Sequence, residues 1–236
     1  MLGGALRIAG IFFVGLMSAG CASPMSGVGS IAPLSSQASA VSAVASAVAP
    51  HADTMPDSQI VAEVPAGFVS FCTRFPDQCK KPGDAPSTIA LTSANWLTLE
   101  QVNNSVNRAI RPEDDEKHYG RAEYWNIPTD GYGDCEDYAL TKRKALLDAG
   151  FPEPALRIAI VLTWRQERHA VLTVTTDHGD YVLDNLRRDV VGWDQDDYQW
   201  IERQDPNRAW GWVALGKSTD PTFIASIAQG PIGAAD

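Results

Sequence analysis

Gly131-Tyr132-Gly133-Asp134-Cys135-Glu136-Asp137-Tyr138-Ala139-Leu140-Thr141-Lys142-Arg143-Lys144 decides how this chain is read. Two glycines and an aspartate lead into a helix predicted from Cys135 to about Ala149. Asp134 or Gly133 can cap it. Glu136 and Asp137 set negative charge in its first turn, and Lys142, Arg143 and Lys144 lie further on. Gly150 at the C′ position and Pro152 just beyond stop it. The helix opens on a cysteine, where backbone N–H groups and the helix dipole favour the thiolate. The same N–H groups can stabilise an oxyanion.

Upstream, Leu99, Val102, Val106 and Ile110 recur in steps of three, four and four, one face of a helix over Thr98–Ile110. Thr98 with Gln101 fits a capping box, and Arg111-Pro112 ends the helix. Downstream come three β-rich runs, Leu156–Thr163, His169–Thr176 and Tyr181–Leu183. Asp177-His178-Gly179-Asp180 is the candidate hairpin turn between the last two. Helices first and antiparallel strands afterwards make an α+β domain.

The first residues do not belong to that domain. Arg7 and the apolar run Ile8–Met17 have the pattern of an export signal. Ser18-Ala19-Gly20-Cys21 resembles a bacterial lipobox that would lipidate Cys21, although Ser18 stands where leucine is usual; the plainer alternative is a cleaved signal peptide. This assigns 1–21 to export. Residues 22–63, rich in Ser, Ala, Gly and Pro, read as a disordered tether. The folded domain is expected over 64–215, with a flexible Gly/Ala-rich tail over 216–236. Across 236 residues there are 19 Lys+Arg and 29 Asp+Glu, a formal charge of −10. That balance, without a basic run, argues against nucleic acid as a partner.

Export organises the four cysteines. Cys21 belongs to the signal. Cys72 and Cys79, seven apart in a turn-rich segment, read as a disulfide in an oxidising compartment, or else as two thiols. Cys135 is left over, and an odd thiol in an exported protein invites a reactive role. A nucleophile needs a base, and the base an orienting group. His51 lies in the tether, His118 before Trp125 and His178 in the presumed turn. His169, at the mouth of a strand, is the best base, and Asp184, at the end of the next strand, the best orienter. One feature opposes this. A four-residue turn would pair Thr176 with Tyr181 and set Asp184 against Thr173, roughly 13 Å along the strand from His169.

The stretch Trp125–Lys144, together with Leu99–Asn107, Phe71-Cys72…Cys79, His169-Ala-Val-Leu-Thr-Val174 and Tyr181-Val-Leu-Asp-Asn-Leu186, resembles the bacterial transglutaminase-like cysteine proteinases. The resemblance spans about Pro65–Leu215. It implies a papain-like, transglutaminase-like fold with N-terminal helices packed on an antiparallel sheet, and a triad of Cys135, His169 and Asp184. The LapG-type periplasmic branch of that family further implies a large cell-surface adhesin as substrate, cut to release biofilm cells. An inner-membrane cyclic di-GMP receptor is implied as regulator. That branch also implies Ca²⁺ held by Asp134 and Glu136; Asp137, and Asp114 or Asp115 from the preceding loop, could complete the shell. Carboxylates suit calcium, yet capping and dipole complementarity would explain Asp134 and Glu136 equally. The implied location is the periplasm, with a possible lipid anchor at Cys21. Two alternatives stay open: acyl transfer to an amine instead of water, and a non-catalytic binding module on the same fold.

Overall fold

The computed structural model describes residues 49–56, 58–80 and 83–215. Four helices and eight strands are described: α1 (Ala66–Arg74), α2 (Ser93–Ala109), β1 (Arg111–Pro112), α3 (Asp115–Tyr119), β2 (Tyr132–Gly133), α4 (Cys135–Asp148), β3 (Leu156–Leu162), β4 (Arg168–Thr176), β5 (Gly179–Leu183), β6 (Val191–Gly192), β7 (Gln199–Gln204) and β8 (Trp212–Ala214). The last six form one antiparallel sheet in the order β6-β5-β4-β3-β7-β8. α4 packs on β4 and α2 packs on α4.

Every residue of β3 and β5, and all but one of β4, is buried. Such strands are covered on both faces, so apolar residues fill consecutive positions instead of alternating, with Arg157, His169, Thr173 and Asp180 buried among them. On the helix side Leu99, Leu140, Leu146, Ile158, Leu172, Tyr181 and Trp212 share one core. On the other side Met55, Val161, Val171, Val182 and Trp200 form a second.

The second core corrects the expected extent of the tether. Residues 49–56 and 58–62 lie along the sheet as a strap. Ala52 and Met55 are buried, Met55 N–H donates to Asp180 Oδ2 at 2.8 Å, and Arg203 donates to Met55 O at 3.1 Å. Ala62 N–H donates to Trp212 O at 2.9 Å. Backbone groups of Pro50, Asp53, Met55 and Ala62 make its hydrogen bonds to the sheet, which composition does not reveal. Residues 22–48, with Cys21 and the tail over 216–236, lie outside the described residues.

Two further expectations are corrected. Helix α2 starts five residues before Thr98, capped by Thr92, whose Oγ1 accepts from Asn95 N–H at 3.1 Å. Thr98 sits inside the helix and donates back to Ala94 O at 2.9 Å, so it is no capping box. The β4–β5 connection is also tighter than expected. Thr176 pairs with Gly179 and Val174 with Tyr181, leaving Asp177-His178 as a two-residue turn. Gly179 has φ 113°, and a Cβ there would stand 2.2 Å from Ala52 O. Backbone conformation and the strap together demand glycine. Strands β6 to β8 had no clear counterpart in the sequence reading. β6 and β8 are two and three residues long, too short for alternation to register, and β7 buries Trp200, Ile201, Glu202 and Arg203 in succession, so it does not alternate.

Candidate active site

The tighter turn moves Asp184 two residues nearer to His169. Leu183 pairs with Leu172, so Asp184 follows on opposite Val171, only about 7 Å along the strand from His169. The side chains close that gap: His169 Nε2 lies 2.8 Å from Asp184 Oδ1. This removes the register objection. Asp184 also accepts from Tyr198 Oη at 2.6 Å and Leu186 N–H at 3.0 Å. Burial alone would push its carboxyl up. The hydrogen bond and charge of His169, with the Tyr198 and Leu186 donors, outweigh it and hold the group down at about 2. An ionised Asp184 fixes Nε2 as the protonated nitrogen, and Nδ1 has no hydrogen-bond partner among the described residues.

Cys135 reaches the same place from the helix side. Strand β5 ends at Leu183, so Ala170 lies beyond the β4–β5 ladder. Its N–H donates to Cys135 Sγ at 3.3 Å instead. The start of α4 thus enters where the ladder stops, next to His169. Cys135, His169 and Asp184 are 1%, 0% and 1% exposed.

Several supporting residues escaped the sequence reading. Asn107 Nδ2 donates to Asp184 O at 2.9 Å and Arg187 O at 3.0 Å. Asn103 Nδ2 donates to Arg187 O at 3.2 Å and Arg188 O at 3.0 Å. The two are one helical turn apart on α2 and clamp the loop that carries Asp184. An Asn-x-x-x-Asn spacing beside the apolar stripe was the available signal. Tyr198 stands in an acidic, aromatic stretch with no motif around it; its ring centroid is 5.8 Å from that of His169. Lys142 is fully buried on α4, and its Nζ has no hydrogen-bond partner among the described residues. Burial pushes it down to about 7, against the pull of Asp184.

The expected capping role of Asp134 is not met. It occupies the N-cap position of α4 without a side-chain cap hydrogen bond. Instead Asp115, Asp134 and Glu136, all buried, each bring an oxygen within 4.8 Å of the others. The parallel pairing of β1 with β2, Arg111 against Tyr132 and Pro112 against Gly133, carries α3 to this spot. Tyr124 N–H donates to Asp115 Oδ2, while Asp115 Oδ1, Asp134 Oδ1 and Glu136 Oε1 have no hydrogen-bond donor among the described residues. Of the other ligands considered, Asp137 accepts from Asn126 N–H at 2.6 Å, and neither it nor Asp114 belongs to the trio. Burial and the neighbouring Asp115 charge push Asp134 up to about 7. Burial and the Asp134 charge push Glu136 well above its usual range and Asp137 up to about 9.

These carboxylates also act on the thiol. Burial, then the charges of Glu136 and Asp134, push Cys135 well above its ordinary value, against the Ala170 N–H. Burial and these charges thus oppose the helix terminus, which favours the thiolate. Buried like charges are costly unless compensated, and three carboxylates with unsatisfied oxygens form a donor set that fits a hard cation such as Ca²⁺.

The sequence profile of the bacterial transglutaminase-like cysteine proteinases matches residues 58–220. The chain belongs to this family. Among solved structures, this transglutaminase-like proteinase is similar to calcium-bound Legionella pneumophila LapG, at 23% identity over 65% of this chain and 82% of that one, with a TM-score of 0.44. It is also similar to EGTA-treated Legionella pneumophila LapG, at 23% identity over 69% and 87%, with a TM-score of 0.43. No curated protein matches the sequence. As a family member the proteinase is a cysteine protease with mixed helices and an antiparallel sheet, and its substrate class is protein.

Proposed function

We propose that this protease is an exported, calcium-dependent endopeptidase using Cys135, His169 and Asp184, and that it cuts a large cell-surface adhesin to control biofilm attachment. The observation that carries the triad is the His169–Asp184 contact at 2.8 Å beside the Cys135 Sγ–Ala170 N–H contact at 3.3 Å. His169 Nδ1 takes the thiol proton as Cys135 Sγ attacks the scissile carbonyl, then gives it to the leaving amine. The N–H groups at the start of α4 face the developing oxyanion. Water, with His169 again as base, hydrolyses the thioester. Asp184 keeps the imidazole in the tautomer that leaves Nδ1 open and stabilises the imidazolium.

Asp115, Asp134 and Glu136 would hold the calcium ion, which would neutralise the charges that raise the Cys135 thiol. The adhesin substrate, a cyclic di-GMP receptor as regulator, a periplasmic location and lipidation of Cys21 rest on the family resemblance and on Arg7–Cys21. Incubating a candidate adhesin fragment with the purified protein tests the core of this reading. Cys135→Ala should abolish cleavage without changing the fold, and radiolabelled palmitate should enter the wild type but not Cys21→Ser. Cleavage by Cys135→Ala at the wild-type rate would refute the triad.

A further inference from the structure

Beside the triad lies a cleft of about 500 Å³ whose walls continue the strands that carry His169 and Asp184. One wall is the turn between β3 and β4, just before His169. That turn is firmly built: Thr163 N–H donates to Glu167 O at 3.0 Å, and Gln166 N–H to Thr163 O at 2.9 Å. It carries Trp164, 77% exposed, with the Arg165 guanidinium 4.9 Å from its ring centroid. The facing wall is the loop after Asp184, where Leu186 is exposed. That loop is held from behind by Asn103 and Asn107, and Arg187 pairs with Asp196 at 2.5 Å. Tyr198, bonded to Asp184, completes the lining.

Trp164 is the most exposed large apolar side chain among the described residues. Leaving an indole in water on a rigid turn costs favourable burial that folding alone does not recover. A second exposed apolar group, Leu186, faces the same cleft. The cleft volume lies in the range of ligand sites, ~300–1,000 Å³, enough for one bulky side chain and its flanking peptide. Building on the protease reading above, we infer that the Trp164–Leu186 cleft is the specificity site of this enzyme, taking a bulky apolar side chain of an extended protein segment. The fixed distance of Leu186 and Tyr198 from Asp184 would then set the register between that side chain and the scissile bond.

The probe is a proteome-derived peptide library with cleavage sites read by mass spectrometry. Wild-type cleavages should share a bulky apolar residue at one fixed position from the cut. Trp164→Ala and Leu186→Ala should lose that selection and lower kcat/KM at least about tenfold, mostly through KM. Both side chains are exposed, so thermal midpoints should stay within about 2 °C. A binding arm separates this inference from the catalytic reading: immobilised Cys135→Ala protein should enrich bulky apolar peptides, and the Cys135→Ala, Trp164→Ala double variant should not. Enrichment without any wild-type cleavage would refute the catalytic reading and support the cleft. Cleavage with the same preference in the wild type and both single variants, or capture without apolar selection, would overturn the cleft.

Discussion

Cys135 and Lys142 lie on the same helix, and both are buried groups whose charged forms burial opposes. Burial and two carboxylates raise the thiol, and burial brings Lys142 down to about 7. The lysine has a clear thermodynamic consequence. Its folded value is depressed below the unfolded value of ~10.4, so between these values the unfolded chain binds more protons and stability rises with pH. Below about pH 7 the penalty is complete and no longer changes. Lys142→Met should therefore raise the urea midpoint at pH 7, and that gain should shrink as the pH approaches 10. Midpoints measured at pH 7 and pH 9.5 check this; equal gains at both would show that Lys142 is not buried as an ammonium-disfavoured group. Asp184 works in the opposite sense. Held at about 2, it contributes stability present above its unfolded value near 4 and lost as pH falls toward 2.

Secondary elements set the geometry that these residues need. The turn Asp177-His178 fixes the β4–β5 register, and a shift of two residues would carry Asp184 out of reach of His169. Gly179 holds that turn at φ 113° against the strap. Gly179→Ala should lower stability by roughly 2 kcal/mol or more, since conformational strain and a backbone clash add, measurable by chemical denaturation. Helix α2 acts on the same loop from the other side. Asn107→Ala removes two donors to the backbone at Asp184 and Arg187. It should lower kcat about tenfold with a smaller change in KM, because a misplaced orienter slows proton transfer more than it weakens binding. A steady-state comparison that found only a KM effect would argue against the clamp.

Across the molecule, distant stretches converge at the start of α4, with Ala170 N–H of β4 on Cys135 Sγ. The β1–β2 pairing brings Asp115 beside Asp134 and Glu136. A disulfide between Cys72 and Cys79 closes α1 to the following turn. Its short loop makes a stabilisation of roughly 2–3 kcal/mol reasonable. Calcium should stabilise the whole fold, by about 2.7 kcal/mol at a hundredfold excess over Kd. Differential scanning calorimetry should show a rising midpoint with Ca²⁺ and a falling one with EGTA. Asp134→Asn and Glu136→Gln should abolish the response, and both should suppress cleavage. A wild-type midpoint indifferent to Ca²⁺ would remove the metal and leave the carboxylate cluster unexplained.

Local patterns in the chain were enough for much of this. The start of α4 at Cys135, its stop at Gly150, the apolar stripe of α2 and the long strands β3 and β4 follow from periodicity and punctuation, because each is a short-range property of the backbone. Residue types and position offered Cys135, His169 and Asp184 only as a candidate set, which the family resemblance then singled out, and spacing offered a Cys72–Cys79 bridge beside the alternative of two thiols. The distance between His169 and Asp184 did not follow, since strand register depends on which residues a turn leaves unpaired. The contacts of Tyr198, Asn103 and Asn107, the strap over 49–56 and 58–62 and the place of Asp115 rather than Asp114 in the carboxylate trio were decided only by tertiary structure. In each case the deciding contact joins residues far apart in the chain, and no local spacing encodes which buried oxygen or backbone carbonyl will be left to meet them.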